Sequence, residues 1–134
     1  MERYHHKVQY YETDRMGITH HSNYIRWMEE ARIYFLSQIG WDYAHLEELG
    51  IVSPVLRVDC RYKQSTTFDD DVYINVEVEE FKGILLKVKY QMSKADGTVV
   101  CEAQSEHCFL DKDGVIIRVK KEYPGLYEAL NGIK

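Results

Sequence analysis

The chain has little of what would divide it. Only two prolines, Pro54 and Pro124, occur in 134 residues, and no linker, low-complexity tract or internal repeat separates one region from another. A single domain spanning 1–134 is expected, long enough for a real core and too short for two. A clustered basic block is also missing: 17 Lys and Arg stand against 22 Asp and Glu, for a net charge of −5 and a pI near 5.7. That excludes a general nucleic-acid binder, which needs a basic surface to neutralise phosphates. No apolar run approaches the roughly 18 residues of a membrane span, and the opening MERYHHKVQY is too polar for a signal peptide. A cytoplasmic protein without a membrane partner is expected. The three cysteines, Cys60, Cys101 and Cys108, lie in alternating strand-like patterns without paired spacing. They exclude a disulfide framework or zinc knuckle and read as reduced packing residues.

Tyrosine, by contrast, is plentiful. Eleven of them give the chain amphipathic surface to bury around a ligand or in a partner. The most informative stretch runs from Tyr10 to Arg32, YYETDRMGITHHSNYIRWMEEAR. In it Asp14 lies on an irregular loop, broken by Gly17, that feeds a long amphipathic helix. A carboxylate just before a helix N-terminus can face a carbonyl polarised by that terminus.

The hydrophobic period places the elements. Residues 4–12 read as a first strand. From about Ser22, the apolar positions Tyr24, Trp27, Met28, Ala31, Tyr34 and Phe35 recur at three and four residues, marking one helix face. On the other face, Arg26 with Glu30 and Glu29 with Arg32 are spaced for ion pairs, and Gly40 supplies the stop. A short second helix starts at an Asp42 N-cap and ends at Gly50. The period then becomes two. Leu56, Val58, Cys60 and Tyr62 form one strand and Val72 to Val78 the next. Ile84 to Met92 and Val99 to Phe109 follow, and VIIRV at 115–119 continues the last after a turn. Asp96-Gly97 and Asp113-Gly114 are hairpin signals, so these strands pair antiparallel. The solution is α+β, a curved antiparallel sheet wrapped around one long central helix.

The pattern Y-x-x-T-D-x-x-G-x-x-x-H-x-x-Y, followed by a helix carrying Glu30, Ala31 and Arg32, resembles the hotdog-fold acyl-CoA thioesterases. Within them it is similar to the 4-hydroxybenzoyl-CoA thioesterase class, particularly its YbgC/FadM-like branch. The matching residues are Asp14, Gly17, His21 and Tyr24, with later landmarks at Tyr62, Phe68-Asp69-Asp70 and Lys82-Gly83. The resemblance covers nearly the whole chain. It implies hydrolysis of an acyl-CoA to free acid and coenzyme A, with Asp14 as nucleophile or as general base for water. It also implies that backbone amides near His21 polarise the thioester carbonyl. No cofactor is implied, and the site of this fold lies between subunits, so a homodimer or homotetramer is expected.

Around Asp14 the secondary roles are less fixed by sequence. His21 either orients or tunes Asp14 or merely packs at the helix start. Tyr24 begins the buried stripe, with substrate contact as its second reading, and Gly17 permits close approach of loop or substrate. Arg57, Arg61, Lys63 and Lys82 are the cations available for coenzyme A phosphates, against the plainer reading of a solvated strand face. The His20-His21 and His5-His6 pairs invite a metal, but adjacent histidines diverge on a regular backbone and no HxxxH or CxxC spacing exists; no metal is expected. Ser65-Thr66 departs from the family's usual Pro-Ala, which bears on pocket shape and acyl preference.

Two other classes compete. Hydratase chemistry on this fold uses an Asp and a His five residues apart around an Asn-Pro, whereas here the histidines stand six and seven residues after Asp14 with no proline between. A non-catalytic acyl-thioester binder would gain nothing from an ionised group in an apolar pocket. Acyl carrier protein thioesters remain the alternative substrate.

Overall fold

The computed structural model describes residues 2–132. The long helix, α1, runs Ser22–Gln38, and its stripe buries Tyr24, Trp27, Met28, Ala31, Phe35 and Leu36. Burying each large side chain contributes about 1.5–3 kcal/mol, which outweighs the few tenths from any surface ion pair. The two ion pairs expected on its outer face are not formed among the described residues. Glu30 turns instead to Tyr4 and His6, and Arg32 donates to the Tyr90 hydroxyl at 3.0 Å. Partners across the helix–sheet interface displace neighbours along the helix. A short helix α2, Tyr43–Glu48, is capped by Asp42, whose Oδ1 accepts the His45 amide at 2.8 Å.

Five strands, β1 (Tyr4–Lys7), β2 (Val55–Tyr62), β3 (Asp71–Lys82), β4 (Leu85–Lys94) and β5 (Val99–His107), form one antiparallel sheet in the order β1-β3-β4-β5-β2. It curves around α1, which packs against β1, β2 and β3. The Asp96-Gly97 turn closes β4 onto β5 with Gly97 at φ +91° and the Lys94 amide 2.9 Å from the Thr98 carbonyl. Strand alternation puts Val72, Ile74 and Val78 of β3 and Leu86, Val88, Tyr90 and Met92 of β4 against the helix. None of the described helices is long and apolar enough to cross a membrane.

Four local expectations are corrected. The first strand stops at Lys7, and Tyr10–Glu12 forms a 3-10 turn instead. Bulges interrupt three alternations, one of them where Met92 and Ser93 face β5 and Ser93 and Val100 are buried. Another, between Val55 and Arg57, leaves Leu56 exposed, and the third, between Val78 and Glu80, turns Phe81 fully into the core. Ile84 lies in the exposed β3–β4 turn rather than in a strand. Residues 115–119 make only one isolated bridge, Leu110 to Ile116, before two helices, α3 (Val119–Glu122) and α4 (Pro124–Asn131). Leu126 and Leu130 of α4 are buried in the core, and Tyr127 packs on Phe81 with ring centroids 5.4 Å apart.

Candidate active site

Asp14 sits on a narrow hairpin. Thr13 bridges Thr19, the Asp14 amide donates to the Ile18 carbonyl at 2.8 Å, and the Gly17 amide donates back to the Asp14 carbonyl at 3.0 Å. That turn needs Gly17 at φ +79°, a left-handed conformation costly for any side chain, although open space surrounds the position. Oδ1 of Asp14 accepts the Met16 amide at 2.8 Å, which fixes the carboxylate's rotamer. Oδ2 has no hydrogen-bond partner among the described residues, so one oxygen of a half-buried carboxylate is left unpaired.

The hairpin is fastened to the turn after β2. Thr19 donates its amide to the Thr66 carbonyl at 2.8 Å, and its hydroxyl lies 2.6 Å from that of Thr66. The Thr67 hydroxyl donates to the Gly17 carbonyl at 2.7 Å. The turn in turn is pinned just past the end of β1, where the Val8 amide donates to the Asp70 carbonyl and the Asp69 amide donates to the Val8 carbonyl, each at 2.9 Å. Asp69 holds φ +73° there, a conformation acidic and amide side chains tolerate better than most.

The start of α1 is capped by a ring rather than a hydroxyl. Nδ1 of His20 accepts the Ser22 amide at 3.2 Å and lies 2.8 Å from the Ser22 hydroxyl. The Asn23 and Tyr24 amides are taken by the His20 and His21 carbonyls. The His21 amide alone of this turn has no partner among the described residues, and it lies at the N-cap, the positive end, of a 17-residue helix. His20 and His21 do not diverge as expected: at the loop-to-helix junction the backbone is irregular, and their rings stack at 4.3 Å.

Of the residues expected at the site, the structure gathers Asp14, Gly17, His21 and Tyr24 on the hairpin and the first turn of α1. The His21 imidazole makes no hydrogen bond to Asp14; it packs on His20 and edge-on to Tyr62. Tyr24 is 3% exposed, packed on Trp27 and Tyr62, with its hydroxyl 3.0 Å from that of Thr66. Burial pushes its phenol up. It braces the hairpin from beneath. Tyr62 closes the group from β2, donating to the His21 carbonyl at 3.3 Å.

The cations lie elsewhere, on the outer face of the sheet. Arg57 and Lys82 share a depression of about 450 Å³ with Lys87 and the carboxylates of Glu79, Glu80 and Glu106. Arg61 lines a neighbouring one of about 430 Å³, and Lys63 pairs with Glu102 at 3.8 Å. These are the roomiest depressions described, yet their walls are charged and neither includes Asp14.

Sequence reasoning passed over Glu12, Thr19 and Asn23, and singled out Thr66 only as a departure bearing on pocket shape, without its hydrogen bonds. All four are buried polar residues flanking the Asp14 motif or the Tyr62 landmark.

One antiparallel sheet wrapped around a long helix, with a carboxylate that has a free oxygen on the hairpin leading into that helix, is the arrangement of a hotdog-fold protein of thioesterase type. The chain belongs to the thioesterase-like superfamily, whose model matches residues 8–129. It is 37% identical over 119 residues to a protein of Aquifex aeolicus provisionally named an esterase, covering 89% of this chain and 91% of that one. It is 30% identical over 129 residues to YneP of Bacillus subtilis, provisionally named an acyl-CoA thioesterase, covering 96% and 94%. Among solved structures, the DHNA-CoA thioesterase of Staphylococcus aureus superposes with a TM-score of 0.92 at 30% identity, covering 98% of this chain and 89% of that one.

Proposed function

We propose that the chain hydrolyses acyl-CoA thioesters, with Asp14 as the reacting carboxylate and the His21 amide as donor to the carbonyl oxygen. The observation that carries this reading is the pair of free valences, Asp14 Oδ2 and His21 N–H, on two arms of one anchored hairpin. As negative charge develops on the thioester oxygen, a fixed amide at a helix start stabilises it without reorganising. Asp14 then acts by either of two routes. It attacks the carbonyl, expelling the coenzyme A thiolate and leaving a mixed anhydride that water opens, or it takes a proton from the water that attacks.

Arg57 and Lys82, already sharing one depression, are the pair we assign to coenzyme A phosphates, with Arg61 and Lys63 flanking them. The active unit is proposed to be a homodimer. Strand β2 is a sheet edge eight residues long that exposes Val55, Leu56 and Tyr62, and such an edge is a template for pairing with a second copy.

The test is thiol release from a panel of short, long, branched and aromatic acyl-CoAs, DHNA-CoA included because the Staphylococcus aureus relative acts on it. Asp14→Asn keeps the bond to the Met16 amide and should remove at least about a hundredfold of the rate while leaving the fold intact. Wild-type protein inert across the whole panel sinks the proposal.

A further inference from the structure

Glu12 stands two residues before Asp14 and has no part in the chemistry above. It is 5% exposed, and a buried carboxylate persists only where donors meet its charge. Here they come from three directions. Oε1 accepts the Gln9 amide at 2.8 Å and the Nε2 of His6, on β1, at 2.8 Å. Oε2 accepts the indole N–H of Trp27, on α1, at 2.8 Å. The carbonyl of the same residue accepts the His20 amide at 2.8 Å and the side-chain amide of Asn23, in the first turn of α1, at 2.9 Å.

Five donors thus converge on one residue. Its side chain ties the 3-10 turn to β1 and to the body of the helix; its main chain ties the far arm of the hairpin, from which His21 follows. Asp14 leaves Glu12 along one arm and the His21 amide leaves it along the other. Because both carboxylate oxygens are occupied and the group is shut from solvent, Glu12 has no means of touching substrate. Burial works against its ionisation, but the Gln9 amide, His6 and the Trp27 indole outweigh that and hold the carboxyl below its ordinary range. His6 is itself braced from behind by Glu30, 3.2 Å from its Nδ1, and Glu30 accepts the Tyr4 hydroxyl at 3.1 Å.

We infer that Glu12 is a positioning residue, whose convergent hydrogen bonds set the distance between the Asp14 carboxylate and the His21 amide. This rests on the assignment of Asp14 and the His21 amide as the reacting pair. A carboxylate is required because three donors approach its two oxygens, and an amide offers one acceptor oxygen and an opposing NH₂. A misplacement on the order of 1 Å costs up to about a hundredfold in rate.

The experiment is a double-mutant cycle on the full chain, using the best acyl-CoA of the panel. Glu12→Gln should lower kcat by about ten- to a hundredfold with KM held within about twofold. In the Asp14→Asn background the same change should have no further effect, since nothing remains to be positioned. A purely structural role would slow both backgrounds alike, and that result overturns the inference, as does a folded Glu12→Gln enzyme with wild-type kcat. Should Glu12→Gln fail to fold, His6→Phe removes one donor from the Glu12 carboxylate and keeps a ring of similar size against Trp27, and the same cycle decides the matter. A fully active Asp14→Asn enzyme would overturn the assignment of Asp14 and this inference together. A dead Asp14→Asn enzyme beside an indifferent Glu12→Gln one overturns this inference alone.

Discussion

The Thr66 hydroxyl lies 2.6 Å from that of Thr19 and 3.0 Å from that of Tyr24, and all three residues are buried. This hydroxyl chain fastens the turn after β2 to the Asp14 hairpin and to α1. The Thr66 hydroxyl meets hydrogen-bonding capacity that Tyr24 and Thr19 bring inside.

Thr66→Val keeps the shape and removes that hydroxyl, leaving the Tyr24 hydroxyl buried without a partner. The expected loss is about 1–3 kcal/mol, seen as a lower urea midpoint at constant slope. A midpoint equal to wild type would show that the chain of hydroxyls is dispensable.

Gly17→Ala meets no atom within 4 Å, so its whole effect is conformational. Holding alanine at φ +79° costs roughly 1–2 kcal/mol, and the hairpin relaxes toward another turn. Steady-state kinetics should show kcat falling in Gly17→Ala and largely restored in Gly17→Asn, because asparagine visits the left-handed region more readily. Equal activity in all three proteins would contradict this.

His107 is 2% exposed and lies 2.7 Å from the Ser105 hydroxyl, which in turn meets Tyr90 and, through it, Arg32. Burial first, and the Arg32 charge second, push the imidazole down from 6.5 to about 4. As pH falls through this interval the unfolded chain takes up a proton that the folded chain refuses, so stability is complete above the upper value and declines toward the lower. The total is roughly 3 kcal/mol. Urea titrations at stepped pH should show this decline in the wild type and a flatter profile in His107→Gln. Parallel profiles would mean His107 is not the titrating group.

Leu56 is 55% exposed on the β2 edge, so Leu56→Lys should scarcely alter the stability of a single chain. If two copies pair along β2, the charge disrupts the pairing and sedimentation velocity shows a smaller species. A wild-type monomer, or an assembly indifferent to the substitution, would rule out this edge as the interface.

Periodicity makes most of the fold legible, because α1 and the three long strands each bury one face and so carry their period in the sequence. It fails where the backbone breaks period. The bulged residues near Leu56 and Glu79 look like ordinary alternation, and α4, with only Leu126 and Leu130 buried, is too short to declare itself against the preceding VIIRV. At the site, Asp14 and Gly17 stand out because their residue types are demanding. The roles of Glu12 and Thr66 are not legible there, since they depend partly on donors and acceptors far along the chain: Asn23 and Trp27 for Glu12, Thr19 and Tyr24 for Thr66.

The bulge between Val78 and Glu80 sets where this chain tolerates a change of length. Glu79 is the unpaired extra residue, so removing it leaves Val78, Glu80 and Phe81 opposite Val88, Lys87 and Leu86 in strict alternation, with Phe81 still facing the core and the Tyr127 ring it packs against. Beyond Lys82 the constraint ends: Gly83 meets nothing within 4 Å and Ile84 is exposed. Because the Gly83-Ile84 turn is exposed, a short tag or label grafted there is expected to leave Asp14 undisturbed.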